Sequence, residues 1–97
     1  MKKNIFRWSK IKHDSCSIEK DIPSLGTVFG EIFYDEVDKF CLETDVMNNE
    51  SVEDLFVCSL YNMKNIEEAK EEFEKLVIKS LKKEKEKIDK FLAKIHN

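Results

Sequence analysis

His13, Cys16, Cys41 and Cys58 are the side chains of this 97-residue chain whose types suggest zinc binding or a nucleophile with its base; the second histidine, His96, sits at the end of the sequence. One histidine and three cysteines make a valid zinc inventory, yet zinc sites are announced by paired Cys knuckles, and only His13-x2-Cys16 is closely spaced. Cys41 and Cys58 sit among apolar neighbours, where a reduced cysteine packs as a small hydrophobe. The run His13-Asp14-Ser15-Cys16 holds every residue type of a hydrolase triad. Triad members converge from separate elements, however, so four consecutive residues read as a surface turn. Gly26 and Gly30 do not form a phosphate loop, because no Gly-Lys-Ser/Thr follows them. The sequence therefore predicts no enzyme, no metal and no cofactor.

Charge carries more information than these motifs. Lys2, Lys3, Arg7, Lys10 and Lys12 give the first 13 residues five bases and no acid. Residues 31–54 hold Glu31, Asp35, Glu36, Asp38, Glu43, Asp45, Glu50, Glu53 and Asp54 against the single base Lys39. The net charge of −3 conceals this sorting, which creates local fields that act on partners more than on fold. Three cysteines, an odd count, do not suit a secreted disulfide framework, and charged residues interrupt any apolar leader after Met1. No apolar run nears the roughly 18–20 residues of a membrane span, so the chain reads as cytoplasmic. Heavy use of Lys, Asn, Ile and Glu points to an AT-rich bacterial or phage source.

The elements that must position these charges can be read from periodicity. Residues 4–12 alternate as a first strand, with Phe6 and Trp8 on one side. Pro23 and Gly26 punctuate a loop over 13–26, with a short irregular strand near 16–19 as an option. Residues 27–34 are rich in β-branched and aromatic side chains and form the second strand. There Val28, Gly30, Ile32 and Tyr34 share one face and Phe29, Glu31 and Phe33 the other. A short polar connection leads to a third strand over 39–46. Residues 54–61 read as the fourth and most buried strand. From Asn65, with Glu68 three positions on in a capping-box arrangement, a helix runs without Gly or Pro to residue 96. The fold class is α+β: a mainly antiparallel four-stranded sheet over 4–61, then a long C-terminal amphipathic helix over 65–96, in a single domain.

A helix of about 30 residues spans roughly 45 Å, whereas strands of this length span about 20–25 Å. Its apolar stripe thins at Glu84 and resumes at Ile88, Phe91, Leu92 and Ile95. Two outcomes remain open: a break near 80–85 that folds the last turns back, or an overhang covered in a homodimer. The acids Glu31, Asp35, Glu36, Asp38, Glu43 and Asp45 gather on one predicted hairpin, beside the aromatics Phe29 and Phe33. These eight residues are the candidate site for a basic protein partner, weighed against the use of charge to protect edge strands from aggregation. The alternative is a nucleic-acid-binding module built on the basic N-terminus and the lysines of 79–90.

Trp8 in the first strand, and the helix opening Asn65-Ile66-Glu67-Glu68-Ala69-Lys70, give 8–76 a generic resemblance to small phage and bacterial proteins that combine a twisted sheet with a C-terminal helix. Many of those bind and block a host protein, CRISPR effectors among them. The resemblance thus implies a non-enzymatic inhibitor that presents an acidic surface to a nucleic-acid-handling host protein. The long lysine-bearing helix departs from that pattern.

Overall fold

The computed structural model describes residues 5–47 and 56–96. Four strands, β1 (Cys16–Ile22), β2 (Gly26–Asp35), β3 (Lys39–Met47) and β4 (Ser59–Met63), pair antiparallel in the order β1-β2-β3-β4, and α1 (Ile66–His96) follows. The α+β class read from periodicity is the fold observed.

Cys16, Ile18 and Ile22 are buried while Ser17, Glu19 and Asp21 are exposed, so β1 has the period of two that a half-buried strand requires. This strand occupies the segment expected to be mostly loop. Pro23 and Gly26 do not break it up; they form the tight link to β2. Ser24 takes a left-handed φ of 72° after Pro23, and the Leu25 N–H donates to the Ile22 carbonyl (3.0 Å), the pattern of a type II turn.

Residues 5–11, expected to be the first strand, form instead an arm along the free edge of β1. The Ser9 N–H donates to the Ser17 carbonyl (2.8 Å) and the Ser17 N–H returns a bond to Ser9 Oγ (2.9 Å). At Lys12–Ser15 the chain reverses through His13 and Asp14, both left-handed, as a type I′ turn demands. The arm's alternation serves to place Phe6 and Trp8 on the helix.

The expected fourth strand is also displaced. Residues 54 and 55 lie outside the described residues, and β4 begins only at Ser59 as a largely exposed edge strand, not the most buried one. Its start is held by buried Thr44. The Thr44 hydroxyl donates to the Phe56 carbonyl and accepts from the Cys58 N–H (3.1 Å), while the Thr44 N–H donates to the Cys58 carbonyl (3.0 Å). Further along, Tyr61 and left-handed Asn62 together face Cys41, a β-bulge that bends this edge.

The helix begins as its cap predicts. The Glu68 N–H donates to Asn65 Oδ1 (2.8 Å), and Glu68 Oε2 accepts from the Lys64 N–H (2.7 Å), one residue before the usual reciprocal donor. α1 then packs across β2, β3 and β4 through Ala69, Phe73 and Val77. The Phe73 ring stands edge-on to Phe6, Trp8 and Phe56 at centroid distances of 5.7, 5.2 and 5.8 Å. It lies directly on Gly30, where a β-carbon would fall 2.8 Å from the ring. No break occurs near 80–85. α1 is one helix of 31 residues, and every residue from Lys85 to His96 is exposed.

Two substitutions check this packing. Gly30→Ala forces the ring and the helix above it to move, with an expected loss of about 1–3 kcal/mol in chemical denaturation. Pairing it with Phe73→Leu should cost less than the sum of the two single losses, since the clash is between these two residues. Ser80 is buried in α1 with its hydroxyl unpartnered among the described residues, so Ser80→Ala should raise stability by several tenths of a kcal/mol.

Candidate docking surface

With α1 covering the face that holds Val28, Ile32, Leu42 and Val46, the opposite face of the sheet has no layer of structure among the described residues. Along β1 this rear face presents Ser17, Glu19 and Asp21; along β2, Phe29, Glu31 and Phe33; along β3, Glu43 and Asp45. The register aligns them in rows: Glu19, Phe29 and Asp45 form one, and Ser17, Glu31, Glu43 and Ser59 the next. Between Arg7–Ser9 at one edge and Val57 at the other lies an open trough of about 740 Å³, lined by Glu19, Phe29, Glu31, Glu43 and Asp45. Among the described residues, Arg7 is the one base in its wall.

The eight expected site residues fall into two groups. Phe29, Glu31, Glu43 and Asp45 share the trough. Phe33 is half-buried on the same face of β2, opposite Cys41. Asp35, Glu36 and Asp38 lie at the hairpin tip, about 14 Å from the Glu31–Glu43 row at 3.4 Å per residue. Glu50, Glu53 and Asp54 of the acidic block lie outside the described residues. Glu19 and Asp21 also belong to the rear face, outside the expected site: the sequence places Asp21 in the loop over 13–26 and Glu19 at the end of its optional strand. Their signal was the alternation of Cys16, Ile18 and Ile22.

Tip and trough differ in chemistry as well as place. Asp35 Oδ1 accepts from the backbone N–H groups of Val37 (2.8 Å) and Asp38 (3.0 Å), and Lys39 closes the turn with a left-handed φ of 62°. Those two backbone bonds, Asp38's first, hold the Asp35 carboxyl below the ordinary aspartate range. Asp35 is therefore committed to shaping the turn. Glu31 and Glu43, by contrast, are exposed and directly opposed on neighbouring strands, where like charges destabilise a sheet.

Cys16 and Cys41 are buried and offer little nucleophilic chemistry. Burial pushes the Cys16 thiol up, opposed by Lys70 and assisted by Glu67; burial also raises Cys41, with Asp38, Asp35 and Glu43 adding to the effect. A thiol held protonated is a poor nucleophile. His13 and Asp14 form the exposed corner of their turn while Cys16 points into the core, so the run does not converge. Among the described residues no three His, Cys, Asp or Glu side chains are grouped to hold a metal ion, and no helix is long and apolar enough to cross a membrane.

Compared with protein-family models, curated proteins and solved structures, the chain matches none.

The tip can be tested apart from the trough. Because the folded-state pKa of Asp35 is depressed, its contribution is present above the ordinary aspartate pKa and is lost as pH falls through the lower folded value. The Asp35 carboxyl should titrate below the normal range by NMR, and Asp35→Asn should remove that part of the acid-induced loss of stability. Lys39→Gly relieves a left-handed backbone and should stabilise by about 1 kcal/mol in denaturant melts.

Proposed function

We propose that the protein is a non-enzymatic binding module that presents the rear trough to a basic protein partner. Glu31, Glu43 and Asp45, with Glu19 from β1, supply the charge, and Phe29 the apolar contact. The single observation that carries this reading is the position of the opposed pair Glu31 and Glu43. They stand on β2 and β3, the two central strands, so protection of a sheet edge does not account for them. Opposed acids at the middle of an open face weaken the sheet on their own and are neutralised when a cationic surface covers them. Asp35, Glu36 and Asp38 extend the same negative field to the hairpin tip, where it steers the approach of a partner. A basic target with a nucleic-acid channel fits such a surface. The particular form we favour is an inhibitor from a phage or mobile element, acting in the cytoplasm on a host nucleic-acid-handling protein such as a CRISPR effector.

The second reading, a nucleic-acid-binding module, draws support from the overhang of α1, where six lysines meet three acids over 82–96 and project clear of the sheet. The two readings oppose each other in sign. Glu31→Lys/Glu43→Lys should abolish capture of a basic, nucleic-acid-handling host protein, a capture the parent chain makes at low salt and loses at high salt. Glu31→Gln/Glu43→Gln, which removes the opposed charges, should gain several tenths of a kcal/mol over the parent, the mark of a residue pair kept for binding, whereas no such gain is expected of the lysine variant. Co-purification of nucleic acid, strengthened in the variant, would overturn the first reading in favour of the second.

A further inference from the structure

The last three turns of α1 expose a continuous apolar stripe. Ile88, Phe91, Leu92 and Ile95 recur at i, i+3, i+4 and i+7, and Phe91 and Ile95 are 64% and 61% exposed on turns that no other element among the described residues covers. Lys85 flanks the stripe on one side and Lys87 and Lys94 on the other. Resting on the reading of the rear trough as a surface for a basic ligand, we propose that the occupant of this stripe is a second copy of the chain. The overhang of each copy docks in the rear trough of the other, forming a closed twofold dimer.

Sign, size and symmetry all favour that occupant. A simple antiparallel pairing of two overhangs would set Lys87 and Lys94 of one copy against Lys94 and Lys87 of the other, a repulsive arrangement at the flanking positions of a helix pair. The trough presents carboxylates around Phe29 instead, so lysines meet acids and the apolar stripe meets an aromatic ring. The 12 residues from Lys85 to His96 form about 18 Å of helix, and a trough that runs from Arg7–Ser9 across β1, β2 and β3 to Val57 covers four inter-strand spacings, about 19 Å.

The layering supplies the geometry. α1 lies in front of the sheet and the trough behind it. A twofold axis in the plane of two side-by-side sheets turns the second copy over, and each overhang then lies across the upturned rear of the other. One kind of contact is used twice and the assembly closes, as an isologous dimer requires. An external basic partner and the second copy compete for the same trough in this arrangement, so assembly limits access to the binding surface.

A charge swap tests this on the full-length chain by sedimentation across concentration, with circular dichroism to verify that each variant keeps its helix. The parent should dimerise, more weakly at high salt. Lys85→Glu/Lys94→Glu alone and Glu31→Lys/Glu43→Lys alone should each raise the dimerisation midpoint at least tenfold. An equimolar mixture of the two should form a heterodimer, and all four substitutions in one chain should return the midpoint to within tenfold of the parent. A parent that stays monomeric at millimolar concentration overturns the dimer but leaves the trough's reading to the host-protein capture above. A dimer indifferent to Glu31→Lys/Glu43→Lys also overturns it and assigns the stripe to helix-to-helix pairing.

Discussion

The seat of Phe73 on Gly30 fixes the rest of the structure. A glycine at mid-strand usually weakens a sheet, yet here the missing β-carbon lets an aromatic ring descend onto the backbone. That ring is also the hub on which Phe6, Trp8 and Phe56 converge edge-on. One contact thereby ties the N-terminal arm, the approach to β4, the central strand and the helix into one core. It also decides which face of the sheet the helix takes, and so which face is left open.

From that choice follows the division of labour between the two faces. The front holds Val28, Ile32, Leu42 and Val46, with Thr44 fully bonded among them to secure the start of β4. The rear carries acids in register across three strands. Hydrophobic burial on one side supports a charge arrangement on the other that would be unfavourable by itself. The hairpin tip belongs to neither role alone: Asp35 shapes the turn through two backbone bonds, while Glu36 and Asp38 add to the field around it.

Strong periodicity made β2, β3 and α1 legible, and the Asn65 cap placed the helix start to the residue. The segment 16–22 was harder because two turns enclose it, and their Pro, Ser and Gly residues masked three alternating apolar positions. The arm over 5–11 misled in the opposite sense. Its alternation is real, but it satisfies a helix surface and one edge contact with Ser17, not a ladder. Exchanging these two segments hid Glu19 and Asp21, whereas Phe29, Glu31, Glu43 and Asp45 lie together along the trough. The break weighed near 80–85 came from the mismatch between helix and strand lengths, whereas local propensity favours the unbroken helix observed. Lys82, Lys83, Glu84 and Lys85 are all good helix formers, and no Gly or Pro interrupts them.

The unbroken α1 also makes the molecule a lever. About 33 Å of helix separates Phe73 from Ile95, and the fulcrum is a ring resting on a bare backbone. A tilt of about 10° at that point sweeps the far end through about 6 Å, more than the spacing between neighbouring strands. Small adjustments in the aromatic cluster are thus magnified at the distal end, and the fine packing of the core sets where a remote surface points.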